Sequence, residues 1–180
     1  MKIEKFFIKP IFKILSFMFN NPTQEFYEKR IAESTKVSVG ACNKYMKKLS
    51  EIEFLLKEKR GKMNFYKLNR ENPLVKQLKI LFTLDSSLMR EIAEKIDGKA
   101  EVFLYGSFAR GEDVEESDLD ILLISGKEER TKIITALRNI GRKYGKNVRV
   151  AGFTRKEWVE MKKKDPAFYE RVEKDKIKLI

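Results

Sequence analysis

The sequence predicts an α+β protein in which a helical N-terminal domain precedes a C-terminal α/β domain. In the first part of the chain, apolar residues recur at helical spacing, and two strand-like runs joined by a two-residue turn follow them. In the second part, short apolar runs alternate with helical segments, which is typical of a sheet covered by helices. A length of 180 residues accommodates two small domains, and we place them at residues 1–75 and 76–180.

The N-terminal domain begins with three predicted helices. The first contains the apolar residues between Ile11 and Met18, and the second is expected at about 24–34. The third is expected at about 39–51, with Ser38 as its N-cap. Because only residues 35–38 separate the last two helices, they form a helix-turn-helix pattern.

Two strand-like runs follow these helices, Phe54–Arg60 and Met63–Asn69. Gly61-Lys62 between them is the two-residue turn of a tight hairpin, and both arms carry basic side chains. Residues 8–70 therefore resemble the winged helix-turn-helix domains of bacterial and archaeal transcription regulators, with the hairpin as the wing. The resemblance implies that duplex DNA is a partner and that a homodimer on a palindromic site is one arrangement.

The third helix and the hairpin carry the candidate DNA contacts. One face of the helix is apolar, with Cys42, Met46 and Leu49, and the opposite face can enter a major groove. The residues of that opposite face are Ser38, Gly40, Ala41, Asn43 and Lys44. The basic residues that suit phosphates are Lys47, Lys48, Lys59, Arg60 and Lys62. The alternative is that this domain docks on a protein and that its lysines only form a solvated face.

The C-terminal domain is predicted to contain three strands separated by helices. A connecting helix begins at Asn72-Pro73. The further elements are a helix at about 87–96, strands at 100–105, 119–125 and 147–153, a helix at 128–144 and a last helical region capped by Thr154.

The segment after the first of these strands carries the groups that indicate chemistry. Gly106 ends an apolar strand and allows a close backbone approach, and Ser107 adds a hydroxyl and an amide at an expected helix start, where phosphate oxygens are favoured. Asp118 and Asp120 are two residues apart at the entry of the next strand, so they project from one face and can share divalent cations. The pattern predicts a metal site beside a phosphate site.

Ten residues lie between Ser107 and Asp118, and this spacing resembles the hallmark of the minimal nucleotidyltransferases in the DNA polymerase β superfamily: Gly-Ser, ten residues, then Asp-X-Asp. The resemblance covers roughly residues 85–180 and implies a nucleotidyltransferase fold with a mixed sheet. It also implies that Gly106 and Ser107 bind the triphosphate of a nucleotide, while Asp118 and Asp120 hold two Mg²⁺ or Mn²⁺ ions for in-line transfer. Arg110 has two interpretations, a contact with the nucleotide or an ion pair that braces the turn.

Active members of that superfamily carry a third carboxylate on a neighbouring strand. The candidate strand, Asn147–Phe153, contains no acid. If Val148 and Val150 face the core, then Arg149 faces the cleft and brings a cation to the position where a metal ligand is expected. The carboxylates that could replace the missing one are Glu112, Asp113 and Glu157.

Composition excludes several other chemistries. The absence of histidine and the presence of one cysteine exclude zinc hydrolases, Ser-His-Asp triads and a disulfide framework. Lys and Arg exceed Asp and Glu by 39 to 27, and within residues 1–75 by 16 to 8, which indicates a polyanionic partner. Lys9, Pro10 and Lys13 interrupt the apolar stretch from Phe6 to Phe19, so we expect no membrane span or signal peptide and a cytoplasmic location.

Two functions are open at this point. The first is a DNA-binding, transcription-regulatory protein whose C-terminal domain binds Mg-nucleotide as a sensor. The second is an active nucleotidyltransferase that transfers a nucleoside monophosphate to a hydroxyl group of a toxin-like partner protein or a small molecule. The missing third carboxylate favours binding over catalysis.

Overall fold

The chain is divided into two compact units. The computed structural model describes residues 3–96, 98 and 100–180. Unit 1 extends to Phe82 and includes Asp113–Glu115, and unit 2 contains residues 83–112 and 116–180. The division comes after Phe82 rather than near residue 75, because the helix that contains Val75 packs on the core of unit 1.

Unit 1 combines helices with a small sheet. In chain order its elements are a 3-10 turn at Ile3–Phe6, α1 (Lys9–Asn20), β1 (Glu25–Tyr27), α2 (Glu28–Thr35), α3 (Val39–Glu51), β2 (Leu55–Arg60), β3 (Met63–Leu68) and α4 (Pro73–Leu84). The strands form an antiparallel sheet in the order β1-β3-β2. The strand β1 occupies the expected start of the second helix, because Phe26 pairs with Tyr66 across the sheet and its ring packs on Phe17.

The helix α3 has the bounds that the sequence predicts. Its N-terminus is capped by Ser38, whose hydroxyl accepts a hydrogen bond from the backbone amide of Ala41. Lys36, just after α2, adopts a left-handed conformation with φ of 53°, which turns the chain toward α3. The buried side chains of α3 are those of the predicted apolar stripe, Cys42, Met46 and Leu49.

A buried ion pair lies in the interior of unit 1. The side chains of Lys79 and Asp113 are only 4% and 7% exposed, and the Nζ atom of Lys79 is 3.0 Å from Oδ2 of Asp113. Lys79 also donates a hydrogen bond to the backbone carbonyl of Asp113. Burial lowers the pKa of Lys79, while the attraction of Asp113 opposes that shift. The carboxylate of Asp113 is therefore committed to a structural contact in unit 1.

Unit 2 is built on a four-stranded sheet. Its elements are α5 (Ser87–Ile96), β4 (Glu101–Tyr105), α6 (Ser107–Arg110), β5 (Leu119–Ile124), α7 (Lys127–Lys143), β6 (Val148–Phe153), α8 (Arg155–Lys164), α9 (Pro166–Asp175) and β7 (Ile177–Lys178). The strand order is β6-β5-β4-β7, with β5 and β6 parallel and the other pairs antiparallel. The expected mixed sheet is confirmed.

Alternate side chains of β5 are buried on opposite faces of this sheet. Ile121 belongs to a core that includes residues of α5 and α7. Leu122 belongs to a second core with Trp158 of α8 and Val172 of α9. Because strand side chains alternate, Asp120 shares its face with Leu122, on the side of α8 and α9.

The helices of the described residues are short. The longest of them, α7, has 17 residues. Across residues 3–96, 98 and 100–180, none of the helices combines the length and apolar character needed to cross a membrane.

Candidate active site

A cleft opens in unit 2 where β4 and β5 meet the loop that follows β4. Its volume is about 520 Å³, which lies within the range of small-molecule sites. Five residues singled out from the sequence line it together, Gly106, Ser107, Arg110, Asp120 and Arg149. Further lining groups are Tyr105 and Arg171.

Strand pairing brings the Gly-Ser turn and Asp120 to one place. Tyr105, the last residue of β4, pairs directly with Asp120 at the start of β5. Gly106 follows with φ of 76° and ψ of −152°, a conformation open to glycine, and Ser107 begins the single helical turn α6. The turn therefore lies beside the Asp120 carboxylate, although twelve residues separate Ser107 from Asp120 along the chain.

Asp118 is held by two neighbours. Its Oδ1 atom accepts a hydrogen bond of 2.7 Å from the side-chain amide of Asn147, and its Oδ2 atom lies 2.5 Å from the guanidinium of Arg149. Both carboxylate oxygens are therefore engaged within the protein. Asp118 thus pairs with Arg149, a residue of the cleft lining, while Asp120 lines the cleft directly.

Asp120 lies in a different electrostatic environment. Partial burial is the largest influence on its carboxylate and raises its pKa above the ordinary value. The positive charge of Arg149 acts in the opposite direction, and the charge of Asp118 adds to the rise. A cation bound near this carboxylate would offset the cost of its burial.

Arg149 faces the cleft, as the alternation along β6 predicts. Val148 is buried in the core that includes α7, and Val150 packs against the same core. The side chain of Arg149 is 69% exposed and lines the cleft. In the register of the parallel pair, Arg149 is the direct neighbour of Asp120.

The two other arginines of the cleft have different surroundings. Arg110 lies 2.8 Å from Glu112 and 2.6 Å from Asp175, so it connects the turn to the end of α9. This geometry supports the bracing interpretation of Arg110, and the residue lines the cleft as well. Arg171 stands over the ring of Phe168 at 5.5 Å and is exposed. Sequence reasoning missed Arg171, because nothing local in α9 indicates that it reaches a cleft formed by β4, β5 and β6.

The candidate replacement carboxylates are occupied elsewhere. Glu112 pairs with Arg110, and Asp113 pairs with Lys79. Glu157 accepts hydrogen bonds from the backbone amide of Thr154 and from Arg130, which together lower the pKa of Glu157 to about 2. Within the part of the chain that the structure describes, no group of three or more acidic, histidine or cysteine side chains is arranged to hold a metal ion.

The candidate DNA contacts of unit 1 are exposed. On α3 these are Ser38, Gly40, Asn43, Lys44, Lys47 and Lys48, and in the hairpin they are Lys59, Arg60 and Lys62. Arg60 differs from the others, because its guanidinium contacts the carboxylates of Glu25 and Glu58 and lies 4.8 Å from the centre of the Phe65 ring. Pairing with these carboxylates raises the pKa of Arg60. The hydroxyl of Ser38 is used as the cap of α3.

Comparison with known proteins identifies the C-terminal part of the chain. A search of curated proteins found no significant match. Residues 86–179, more than half of the chain, match the family model described as the nucleotidyltransferase domain. Domains of this kind generally use a nucleoside triphosphate and a divalent metal ion. The matched range contains the cleft, the Gly-Ser turn and both aspartates. On this evidence the chain belongs to the nucleotidyltransferase domain family.

Proposed function

We propose that this protein binds DNA through unit 1, as a transcription regulator, and binds a nucleoside triphosphate with a divalent cation through unit 2. The nucleotide-binding part of this proposal rests on one observation, the charged side chains that line the cleft. Arg110, Arg149 and Arg171 line the same cleft as the turn formed by Gly106 and Ser107. Guanidinium groups bind phosphate oxygens strongly and with defined geometry, so a polyphosphate suits this cleft.

Each remaining group has a role in this proposal. Gly106 allows phosphate oxygens to approach the backbone, and the hydroxyl of Ser107 donates a hydrogen bond to them. Asp118 and Asp120 hold the divalent cation. The chemistry of these two side chains fits such an ion, since carboxylate oxygens are ligands that Mg²⁺ and Mn²⁺ prefer. The cation would neutralise phosphate charge where the phosphates meet the carboxylates.

The residues of the cleft support nucleotide binding better than they support nucleotidyl transfer. In-line transfer requires the acceptor hydroxyl to lose its proton, and general-base assistance is worth about 10²- to 10⁴-fold. Among the described residues that line the cleft, Asp120 supplies the single carboxylate. Arg149 stands where the third acid of active relatives is expected, and an arginine cannot accept a proton. We therefore expect transfer to be absent or very slow.

Calorimetric titration with Mg-ATP tests the nucleotide part. Asp118→Asn combined with Asp120→Asn should lower the Mg²⁺-dependent affinity at least tenfold, because the neutral amides no longer attract the cation. The matched control is Glu128→Gln combined with Glu129→Gln, which removes two exposed negative charges from the first turn of α7. Equal Mg-ATP affinity in the wild type and the aspartate variant would contradict this assignment.

A labelling experiment separates binding from catalysis. The purified protein is incubated with α-labelled nucleoside triphosphates, Mg²⁺ and candidate protein and small-molecule acceptors. Retention of the label on nucleotide alone supports the proposal. Rapid Mg²⁺-dependent labelling of an acceptor hydroxyl would instead favour the second function, an active transferase that acts on a partner protein or a small molecule.

The DNA part is supported by the distribution of exposed basic residues in unit 1. We propose that α3 is the recognition helix of a winged helix-turn-helix domain and that the β2–β3 hairpin is its wing. Asn43 is suited to a base edge, and the lysines of α3 are suited to phosphates. Lys59 and Lys62 supply further phosphate contacts, whereas Arg60 is engaged with two carboxylates and is expected to contribute less. Such a regulator acts in the cytoplasm and commonly binds its site as a homodimer.

Duplex binding by the full-length protein over a range of salt concentrations tests this part. Lys44→Ala and Lys62→Ala should each weaken binding and reduce the slope of log K against log salt by about 0.9 for each lost phosphate contact. Lys13→Ala is the matched control, since Lys13 is exposed on α1 and lies outside the proposed surface. Failure to bind any duplex at low salt would contradict the proposal.

A further inference from the structure

The ion pair between Arg149 and Asp118 lies within the proposed nucleotide site. The guanidinium is 2.5 Å from one carboxylate oxygen of Asp118, and Asn147 donates to the other. A divalent cation that coordinates Asp118 must therefore compete with a charged donor and an amide donor. In the free protein this competition lowers the affinity of the cation for Asp118.

Arg149 is also the neighbour of the second carboxylate. It pairs in register with Asp120, and both residues line the cleft. A permanent positive charge is thus adjacent to both groups that would hold a cation. A guanidinium stays protonated at all accessible pH values, so this charge cannot be removed by titration.

We propose that Arg149 takes the place of one divalent cation, so that this site binds a triphosphate together with a single divalent ion. The inference rests on the proposed function of the cleft as a nucleotide site. A guanidinium can neutralise a phosphate oxygen and donate two parallel hydrogen bonds to it. At 69% exposure, the side chain of Arg149 has room to turn from Asp118 toward a ligand.

Nucleotide and cation should then assist each other's binding. When phosphate oxygens attract Arg149, the carboxylate of Asp118 is released and becomes available to the cation. By linkage, the bound cation favours the nucleotide by the same factor. Without nucleotide the cation binds weakly, because it must itself displace Arg149 from Asp118.

Manganese binding to the full-length protein, followed by electron paramagnetic resonance, tests the stoichiometry. With a saturating non-hydrolysable triphosphate analogue, the wild type should bind one Mn²⁺ per chain, and Arg149→Asp should bind two. Without the analogue, wild-type Mn²⁺ affinity should be at least tenfold lower. Two Mn²⁺ ions in the wild-type complex, or one in the Arg149→Asp complex, would overturn the inference.

Nucleotide binding in the presence of a chelator provides the second measurement. The wild type should still bind the analogue, and Arg149→Ala should bind it at least about tenfold more weakly, the loss expected for one charge-assisted contact. The matched control is Arg138→Ala, which removes an exposed arginine of α7 outside the cleft lining. Circular dichroism verifies that both variants are folded. Equal losses of affinity for the analogue in Arg149→Ala and Arg138→Ala would overturn the proposed role of Arg149.

The two proposals fail in different ways. If the wild-type protein binds no triphosphate under any condition, the proposed function is wrong. If it binds the triphosphate with two Mn²⁺ ions, the proposed function stands and only the inference about Arg149 is wrong.

Discussion

Gly106 and Asp120 approach each other so closely that a Cβ atom on Gly106 would lie 2.5 Å from the Oδ2 atom of Asp120. The φ angle of Gly106, 76°, is also one that L side chains rarely adopt. Glycine is therefore required at this position for its backbone conformation and for the space beside the carboxylate. The Gly-Ser turn thus contributes to the placement of Asp120 as well as to the proposed phosphate site.

Gly106→Ala should weaken Mg-ATP binding at least tenfold, because the added methyl group displaces the Asp120 carboxylate. The strained backbone should also lower the free energy of unfolding by about 1–3 kcal/mol. Calorimetric titration and urea unfolding measure the two effects. In the control Gly126→Ala, the new Cβ has no atom within 4 Å and φ is −61°, so nucleotide affinity should be unchanged. Unchanged affinity in Gly106→Ala would contradict this account.

Arg110 and Arg171 should respond differently to the same replacement. Arg110→Gln breaks contacts with Glu112 and Asp175, and we expect a loss of stability of up to about 1 kcal/mol, since these groups are partly exposed. Arg171→Gln should lower nucleotide affinity about tenfold with little change in stability, because this side chain lies over the partly buried ring of Phe168, whereas Arg110 pairs with two carboxylates. Thermal unfolding measures the stability of both variants, and nucleotide titration measures their affinity. A reversed pattern would show that Arg171 has the structural role.

Removal of one member of the buried Lys79–Asp113 ion pair in unit 1 should lower the free energy of unfolding. Lys79→Met leaves the carboxylate of Asp113 buried without its cation, and we expect a loss of about 3–5 kcal/mol. Replacing both residues, with Lys79→Met and Asp113→Leu, should recover most of that loss because neither charge remains. Urea unfolding followed by circular dichroism measures both variants. A double variant as unstable as the single one would show that the ion pair itself is required.

The thiol of Cys42 should be unreactive in the folded protein at neutral pH. Burial is the main cause that raises its pKa from 9.0 to about 11, and the nearby charge of Glu28 adds to the shift. Between pH 9 and 11 the Cys42 thiol therefore stays protonated in the folded state and ionises in the unfolded chain. The free energy of unfolding should fall as the pH rises through this range. Alkylation at pH 8 should be slow before unfolding and fast in guanidinium chloride, while Cys42→Ser gives no product. Rapid alkylation of the native protein would contradict the burial of this thiol.

Local patterns in the sequence predicted much of the fold. The helix α3 was expected at 39–51 and is found there, because its N-cap and apolar stripe are encoded within a few residues. The strands of the central sheet were also expected, from short apolar runs next to turn residues. The strands β1 and β7 were missed, since two or three residues carry too little periodicity to be recognised.

Long-range contacts account for the parts of the site that the sequence did not reveal. The spacing from Ser107 to Asp118 indicated the carboxylates, and the alternation along β6 predicted the direction of Arg149. Neither pattern contains information about α9, so the place of Arg171 in the cleft depends on how α9 packs on the sheet. The contact of Arg110 with Asp175 has the same origin, because those residues meet only after the whole domain has folded.

The packing of Trp158 has a practical consequence for all these experiments. It is the single tryptophan of the chain, and its ring centre lies 6.0 Å from that of Phe168, the residue beneath Arg171. The indole N–H donates to Glu173 on the same helix as Arg171. A ligand that moves Arg171 therefore alters the surroundings of the indole. Intrinsic tryptophan fluorescence therefore reports, without a label, whether the cleft of unit 2 is occupied.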